Sequence, residues 1–178
     1  MSTASRYVPN YTVEDYQHWE GDWQLIEGVA VAMSPSPFGR HERIVMEIAA
    51  SFKNQLDQQN CDCRVYAGLD WIVSNNTVVR PDVMVVCGEQ PERHLETPPE
   101  IAVEILSTST RELDLVAKRR IYREHGVPIY IIVDPDKMQV EIIRLDTESS
   151  TQIEIGQSAT LSLSNDCHIE VNAQQVFR

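Results

Sequence analysis

The sequence predicts a mixed α/β fold, a β-sheet flanked by helices, and three observations carry that expectation. Ile44, Ile48, Phe52 and Leu56 recur every four residues, the period of an amphipathic helix face. Residues 83–86, 101–106 and 130–133 are short, β-prone apolar runs of the kind found in buried strands. Between the last two lies a polar stretch, residues 111–125, with helix start and stop signals. A chain of 178 residues suits a single domain that buries roughly 70% of its unfolded surface.

Residues 10–19 are expected to form a short helix, with Thr12 as N-cap and Glu14 and Asp15 in its first turn. Residues 23–33 (WQLIEGVAVAM) read as two short strands turning at Glu27-Gly28, and residues 34–39, with Pro35 and Pro37, as a loop. The amphipathic helix follows. Val45 and Ala49 flank its apolar stripe, and Glu42, Glu47 and Lys53 mark its polar face. From Asp62 the rhythm changes to strands. Residues 64–73 read as one strand, Asn75-Asn76 as a turn, and residues 77–79 as a strand leading through Arg80 and Pro81 to Asp82. Residues 88–99 form a polar, proline-containing loop. In the second helix Ser109 and Glu112 have capping-box spacing, and Gly126 suits the position just past the end. Residues 138–145 return as an antiparallel partner of residues 130–133. Residues 151–155 and 159–163 add further strands, so the core is expected over about residues 12–146, with a peripheral β extension at residues 147–178.

No apolar run approaches the roughly 20 residues that a membrane helix needs, and the N-terminal segment lacks the pattern of a secretory signal, so a cytoplasmic location is expected. The net charge of −12 weighs against tight nucleic-acid binding, which draws its affinity from phosphate neutralisation. The basic residues are nevertheless clustered: Lys118, Arg119, Arg120 and Arg123 lie together, and Arg40 and Arg43 form a smaller group. The chain has no glycine-rich dinucleotide fingerprint, no P-loop and no nucleophile elbow, which removes those chemistries. Cys61, Cys63, Cys87 and Cys167 do not read as a disulfide framework. The single residue between Cys61 and Cys63 is short of the usual zinc-ligand spacing, so reduced structural thiols are expected.

Two acids stand where an apolar core would have none. Asp82 opens the run at residues 83–86, and Glu104 interrupts the run at residues 101–106. An unpaired buried carboxylate costs several kcal/mol, so such a group is normally paired, coordinates a cation or does chemistry. Ala102, Glu104 and Leu106 share one strand face. Neighbouring strands lie about 4.8 Å apart, close enough for Asp82 and Glu104 to share a Mg²⁺ or Mn²⁺ ion. Lys118 can be placed by arithmetic: it lies roughly 12 Å along the helix from Thr110, and Glu104 lies roughly 10 Å back along the strand from Ser107. If the helix folds back over the sheet, Lys118 comes level with Glu104, where its ammonium can orient a water or stabilise phosphate charge. Asp114, one turn earlier, can pair with it. The simpler reading is a structural ion pair between Glu104 and Lys118, with the basic run as a solvated helix face.

Taken in order, LIEG, MSPSP followed by His41, RPDVMVV, VEILSTST, Asp114 with Lys118, and GVPIYIIVDP resemble the bacterial Uma-type endonuclease family of the PD-(D/E)XK nuclease-like superfamily. The resemblance runs from about residue 12 to residue 146. It implies a restriction-endonuclease-like core, with Asp82 as the acid of the PD motif and Glu104 as the second acid. The superfamily lysine normally stands two residues after that acid, where this chain has Leu106; on this reading Lys118 substitutes for it. Glu27 matches the acid of the LIEG element and is implied as a further metal or water ligand, and His41 matches a recurrent histidine. The expectation is therefore a Mg²⁺- or Mn²⁺-dependent DNA endonuclease, acting as a homodimer. Asp82, Glu104, Lys118 and Glu27 would form the catalytic group, and His41, Arg40, Arg119 and Arg120 would contact nucleic acid. The competing expectation is a catalytically inactive module that keeps the nuclease fold to bind protein or nucleic acid.

Overall fold

In the computed structural model, which describes residues 9–33 and 39–178, helix α1 (Val13–Tyr16) is started by Thr12. The Asp15 carboxylate accepts the Thr12 N–H at 2.8 Å while the Thr12 hydroxyl accepts the Asp15 N–H at 3.4 Å, a reciprocal capping box. The expectations for the N-terminal segment and the proline loop at residues 34–38 lie outside the described residues. Strands β1 (Trp23–Ile26) and β2 (Val29–Ala32) form the expected hairpin, with Glu27 and Gly28 both at positive φ in its turn. Gly28 is required on a second ground. A β-carbon there would lie 2.3 Å from Asn10 Oδ1 and 3.2 Å from Asn10 Cα, and the Gly28 amide and carbonyl are both engaged, by Asn76 and Tyr11. Gly28→Ala is expected to cost about 1–3 kcal/mol, read from the midpoint of urea unfolding.

Helix α2 (Gly39–Gln58) buries the predicted stripe, Ile44, Val45, Ile48, Phe52 and Leu56. The strand expected over residues 64–73 is in fact two, β3 (Cys63–Ala67) and β4 (Trp71–Ser74), in different sheets. Gly68, at φ +63, turns the chain out of one sheet and into the other. Strand β5 (Thr77–Val79) pairs with both β4 and β1. Strands β6 (Val83–Cys87) and β7 (Ile101–Ile105) follow, and then the second helix. It differs from the expected regular α-helix. Leu113–Lys118 is wound as a π-helix and passes directly into α3 (Arg119–Glu124). The expected Ser109–Glu112 box is replaced by Ser107, whose hydroxyl accepts the Thr110 N–H at 3.3 Å. Gly126 ends the helix at φ +82, as predicted.

Strands β8 (Ile129–Asp134), β9 (Gln139–Arg144) and β10 (Ser149–Glu154) complete a six-stranded sheet in the order β10-β9-β8-β7-β6-β3. Strands β7 and β8 run parallel, bridged by the π-helix and α3, and the other pairs in this sheet are antiparallel. Alternation divides the sheet's side chains. Val83, Val85, Val103, Ile105 and Ile131 face α2 on one side. Met84, Ala102, Tyr130 and Ile132 face α3 and Trp71 of the smaller sheet on the other. Both faces are covered, which explains the unbroken apolar runs.

The C-terminal segment is part of the core rather than a peripheral extension. Strands β11 (Ser158–Ser162) and β12 (His168–Asn172) and helix α4 (Ala173–Val176) add Leu161, Ile169, Val171 and Val176 to the α2 side. The cysteines also depart from expectation: Cys61 is bonded to Cys167 and Cys63 to Cys87. Their sequence separations, 106 and 24 residues, hide the fact that the ends of β3 and β6 meet the loop before β12. Among the described residues no helix is long and apolar enough to cross a membrane.

Candidate functional site

The site forms where β6 and β7 meet the π-helix. Asp82 immediately precedes β6, and the antiparallel register sets Val83 opposite Val103, which brings Asp82 beside Glu104. Asp82 Oδ2 accepts the Ile105 N–H at 2.7 Å, so the backbone of β7 fixes the carboxylate. Glu104 is 2% exposed. Its Oε1 accepts bonds from Lys118 Nζ at 2.9 Å and from the Tyr122 hydroxyl at 2.5 Å. Lys118 is 3% exposed and lies 3.2 Å from Asp114 Oδ1 as well. That second contact is an ion pair without hydrogen-bond alignment, and it leaves Asp114 Oδ1 a buried oxygen with no hydrogen-bond partner. Asp114, Lys118 and Tyr122 succeed one another at four-residue intervals and therefore share a helix side. The π turn that carries the first two is a form that recurs at functional sites.

The electrostatics follow from burial and mutual proximity. Burial pushes the Glu104 carboxyl well above the usual range; the Lys118 ammonium opposes the rise, and the Asp114 and Asp82 charges add to it. Burial raises Asp114 in the same way, again against Lys118. For Lys118, burial favours the neutral form, but the combined field of Glu104, Asp114 and Asp82 outweighs it and holds the ammonium charged. The carboxylates outnumber the cation they share, so the group as a whole attracts further positive charge.

His41, on the first turn of α2, closes the other side of Asp82, with Nε2 3.3 Å from Asp82 Oδ2. Its Nδ1 is buried without a hydrogen-bond partner, 3.5 Å from Glu42 Oε1. A cleft of about 470 Å³ opens over the group, lined by Gln24, His41, Asp82, Glu104, Asp114 and Lys118. In the cleft, among the described residues, no set of three or more His, Cys, Asp or Glu side chains converges to metal-binding distance. A cation here would thus be held by two carboxylates, with water and substrate supplying the rest, a donor set suited to Mg²⁺ or Mn²⁺. The residues fit such an ion: Asp82 faces the cleft, Glu104 engages its partners through Oε1, and the local charge is in acidic excess.

The sequence profile of the Uma2 family, described as "Putative restriction endonuclease", matches residues 13–174. The chain belongs to the Uma2 family. This Uma2 chain is 26% identical over 147 residues to an uncharacterized protein of Synechocystis sp., a match covering 79% of the chain and 77% of that relative. Its structure is similar to a crystal structure described as a putative nuclease belonging to DUF820 from Anabaena variabilis. The TM-score is 0.75 at 17% identity, over 94% of this chain and 97% of the other. At that identity the likeness speaks for the fold, a mixed sheet flanked by helices as predicted.

The Uma2 chain brings Asp82, Glu104, Lys118 and His41 together. It does not bring Glu27. That residue sits in the β1–β2 turn at φ +50, about half exposed, with its carboxylate 2.7 Å from Arg120 Nη2. Gln24, two residues into β1, reaches the cleft instead, 3% exposed and accepting the Arg80 N–H at 3.1 Å. Arg40 is engaged by the Pro135 carbonyl and Asp136, Arg119 is exposed, and neither they nor Arg120 is among the cleft-lining residues described. Arg80 does line the cleft, tied to Asp70 at 2.7 Å and Asp22 at 2.9 Å. Gln24 and Tyr122 are the site residues that sequence reasoning missed. The signal for Tyr122 was its four-residue spacing from Lys118; for Gln24 it was a polar residue inside an apolar strand, the same anomaly that exposed Glu104.

The hydrogen bond to Asp82 raises the His41 pKa, against the opposing effect of burial. A folded value above the unfolded one means that protonated His41 stabilises the fold below about pH 6.5 and that this contribution is lost as pH rises through the folded value. In the metal-free protein, His41→Asn is therefore expected to flatten the fall of melting temperature between about pH 6 and pH 8. Parallel profiles for variant and wild type would contradict the Asp82–His41 pairing.

Proposed function

We propose that this protein is a divalent-metal-dependent DNA endonuclease that hydrolyses phosphodiester bonds through the Asp82–Glu104–Lys118 group. The observation that carries the reading is the Lys118 ammonium, buried yet held charged, bridging Glu104 and Asp114 at the floor of a cleft whose rim is Asp82. Family membership and the nuclease-like fold support it.

Asp82 and Glu104 would hold the cation, which when bound supplies Lewis-acid polarisation of a phosphoryl oxygen and a more acidic water. The protein's own groups do the positioning. The Ile105 N–H and His41 fix Asp82, and the Tyr122 hydroxyl and Lys118 fix Glu104. Lys118 presents an ammonium that needs no reorganisation to hold a water proton-side outward or to face charge developing on phosphate. Gln24, buried beside them, offers an amide to the same space. Arg119, exposed at the next helix position, would be a phosphate contact outside the cleft. Cleavage on both strands would follow from a two-fold dimer.

The test is a plasmid-nicking and oligonucleotide-cleavage assay with Mg²⁺ and Mn²⁺, run beside chelated controls. Metal-dependent cleavage by the wild type that is absent in Asp82→Asn is the expected result. Metal binding without cleavage of any nucleic acid would favour the inactive-module reading, to which the net charge of −12 lends weight.

A further inference from the structure

The four cysteines converge at the end of the main sheet remote from the cleft. Cys63 opens β3 and stands opposite Cys87, the last residue of β6, whereas Asp82 precedes the first. Asp82 and Cys87 are thus separated by five residues of strand, roughly 16 Å. Cys61 lies two residues before Cys63, across the bend at Asp62 that leads into β3. Their sulfurs are 3.4 Å apart. With Cys61 bonded to Cys167 and Cys63 to Cys87, all four sulfurs form one contiguous node. It is largely enclosed: Cys61, Cys63 and Cys167 are 7%, 1% and 9% exposed, and Cys87 is half-buried.

We propose that this node is a zinc site of the reduced protein, in which the thiolates of Cys61, Cys63, Cys87 and Cys167 bind one Zn²⁺ tetrahedrally. Zn–S bonds of about 2.3 Å put the sulfurs of a tetrathiolate about 3.8 Å apart. The Cys61–Cys63 separation is already close to that edge, and the two bonded pairs reach it by side-chain rotation about Cα positions 6.2 Å and 4.0 Å apart. The single-residue spacing that argued against zinc in the sequence is no obstacle here, because the bend at Asp62 leaves the Cys61 and Cys63 sulfurs 3.4 Å apart while Cys87 and Cys167 arrive from other elements. Two polar neighbours suit a dianionic centre. Arg64 Nη1 donates to the Cys61 and Cys63 carbonyls at 3.2 and 2.9 Å, and Asn165 Nδ2 lies 3.8 Å from Cys63 Sγ.

The two states interconvert with simple stoichiometry. Two equivalents of a dithiol reductant cleave both S–S bonds and leave as two disulfides, giving four cysteine thiols. One Zn²⁺ then binds with release of four protons. In either state the node ties the loop before β12 and the end of α2 to the edge of the main sheet. This inference does not depend on the nuclease reading.

The test uses the full chain, reduced with dithiothreitol, freed of reductant under anaerobic conditions and titrated with Zn²⁺ or Co²⁺. The expected results are one bound equivalent that protects all four thiols from alkylation, and the strong visible absorption of tetrahedral thiolate-bound Co²⁺. Cys87→Ser should lose both, while Asp82→Asn keeps both, separating this site from the cleft. Circular dichroism follows the fold; a reduced chain that unfolds should refold on adding Zn²⁺. Disulfides that resist the dithiol would overturn the proposal. So would four thiols that stay alkylatable in stoichiometric Zn²⁺, whether the reduced chain is folded or not.

Discussion

Asp82→Asn is expected to abolish metal-dependent cleavage, with a loss of about 1,000-fold or more in kcat/KM, equivalent to about 4 kcal/mol of transition-state stabilisation. The substitution is close to isosteric. The asparagine oxygen still accepts the Ile105 N–H, so the strand contact that places the side chain survives. What disappears is the charge, and with it one of the two carboxylates that hold the cation. Stability should change by no more than about 1 kcal/mol, mostly through the weakened contact with His41. A folded Asp82→Asn protein that cleaves DNA at the wild-type rate would remove Asp82 from the reaction.

Lys118→Met carries the second large effect, this time on stability and activity together. Methionine fills much of the same space, but Glu104 and Asp114 then share a buried site with no cation between them. Removing one partner of a buried ion pair typically costs about 3–5 kcal/mol, because the charge left behind is neither solvated nor paired. The pH dependence should expose the cause. Glu104 already titrates above its usual range through burial, and loss of Lys118 raises it further. The variant is therefore most stable below the unfolded carboxyl pKa, and its stability falls as pH rises through the folded value. Combining Lys118→Met with Glu104→Gln removes a negative charge while leaving an oxygen for the Tyr122 hydroxyl. That double variant should regain most of the lost stability and none of the activity. Recovery of activity would remove both Lys118 and Glu104 from the reaction.

Much of this architecture is written in local patterns. The four-residue stripe of α2 and the apolar runs of β6, β7 and β8 are periodicities set by burial, so they survive translation into structure unchanged. The Asp82–Glu104–Lys118 group was legible because each charge breaks such a pattern. Glu104 cannot sit inside β7 without a partner, and helix length placed Lys118 at the right height. What the sequence withheld depends on contacts between distant segments. Gly68 reads as one more residue of a strand, although it is where the chain changes sheets. The π winding of Leu113–Lys118 leaves no compositional mark, since the same residues would suit an α-helix. Glu27 carried the expected charge at the expected motif, but the hairpin turn points it to Arg120 and gives the cleft position to Gln24. The cysteine node was hidden for the same reason: its members lie up to 106 residues apart.

The central claim is that Asp82 and Glu104 form a divalent-cation site, and calorimetric titration of Mn²⁺ into the metal-free protein tests it most directly. Wild type, Asp82→Asn and Glu104→Gln would be compared, with the cysteines kept oxidised so that the sulfur node takes no metal. The account predicts saturable binding by the wild type that is lost in both variants while all three remain folded. Binding of equal strength in all three, or none in the folded wild type, would contradict it.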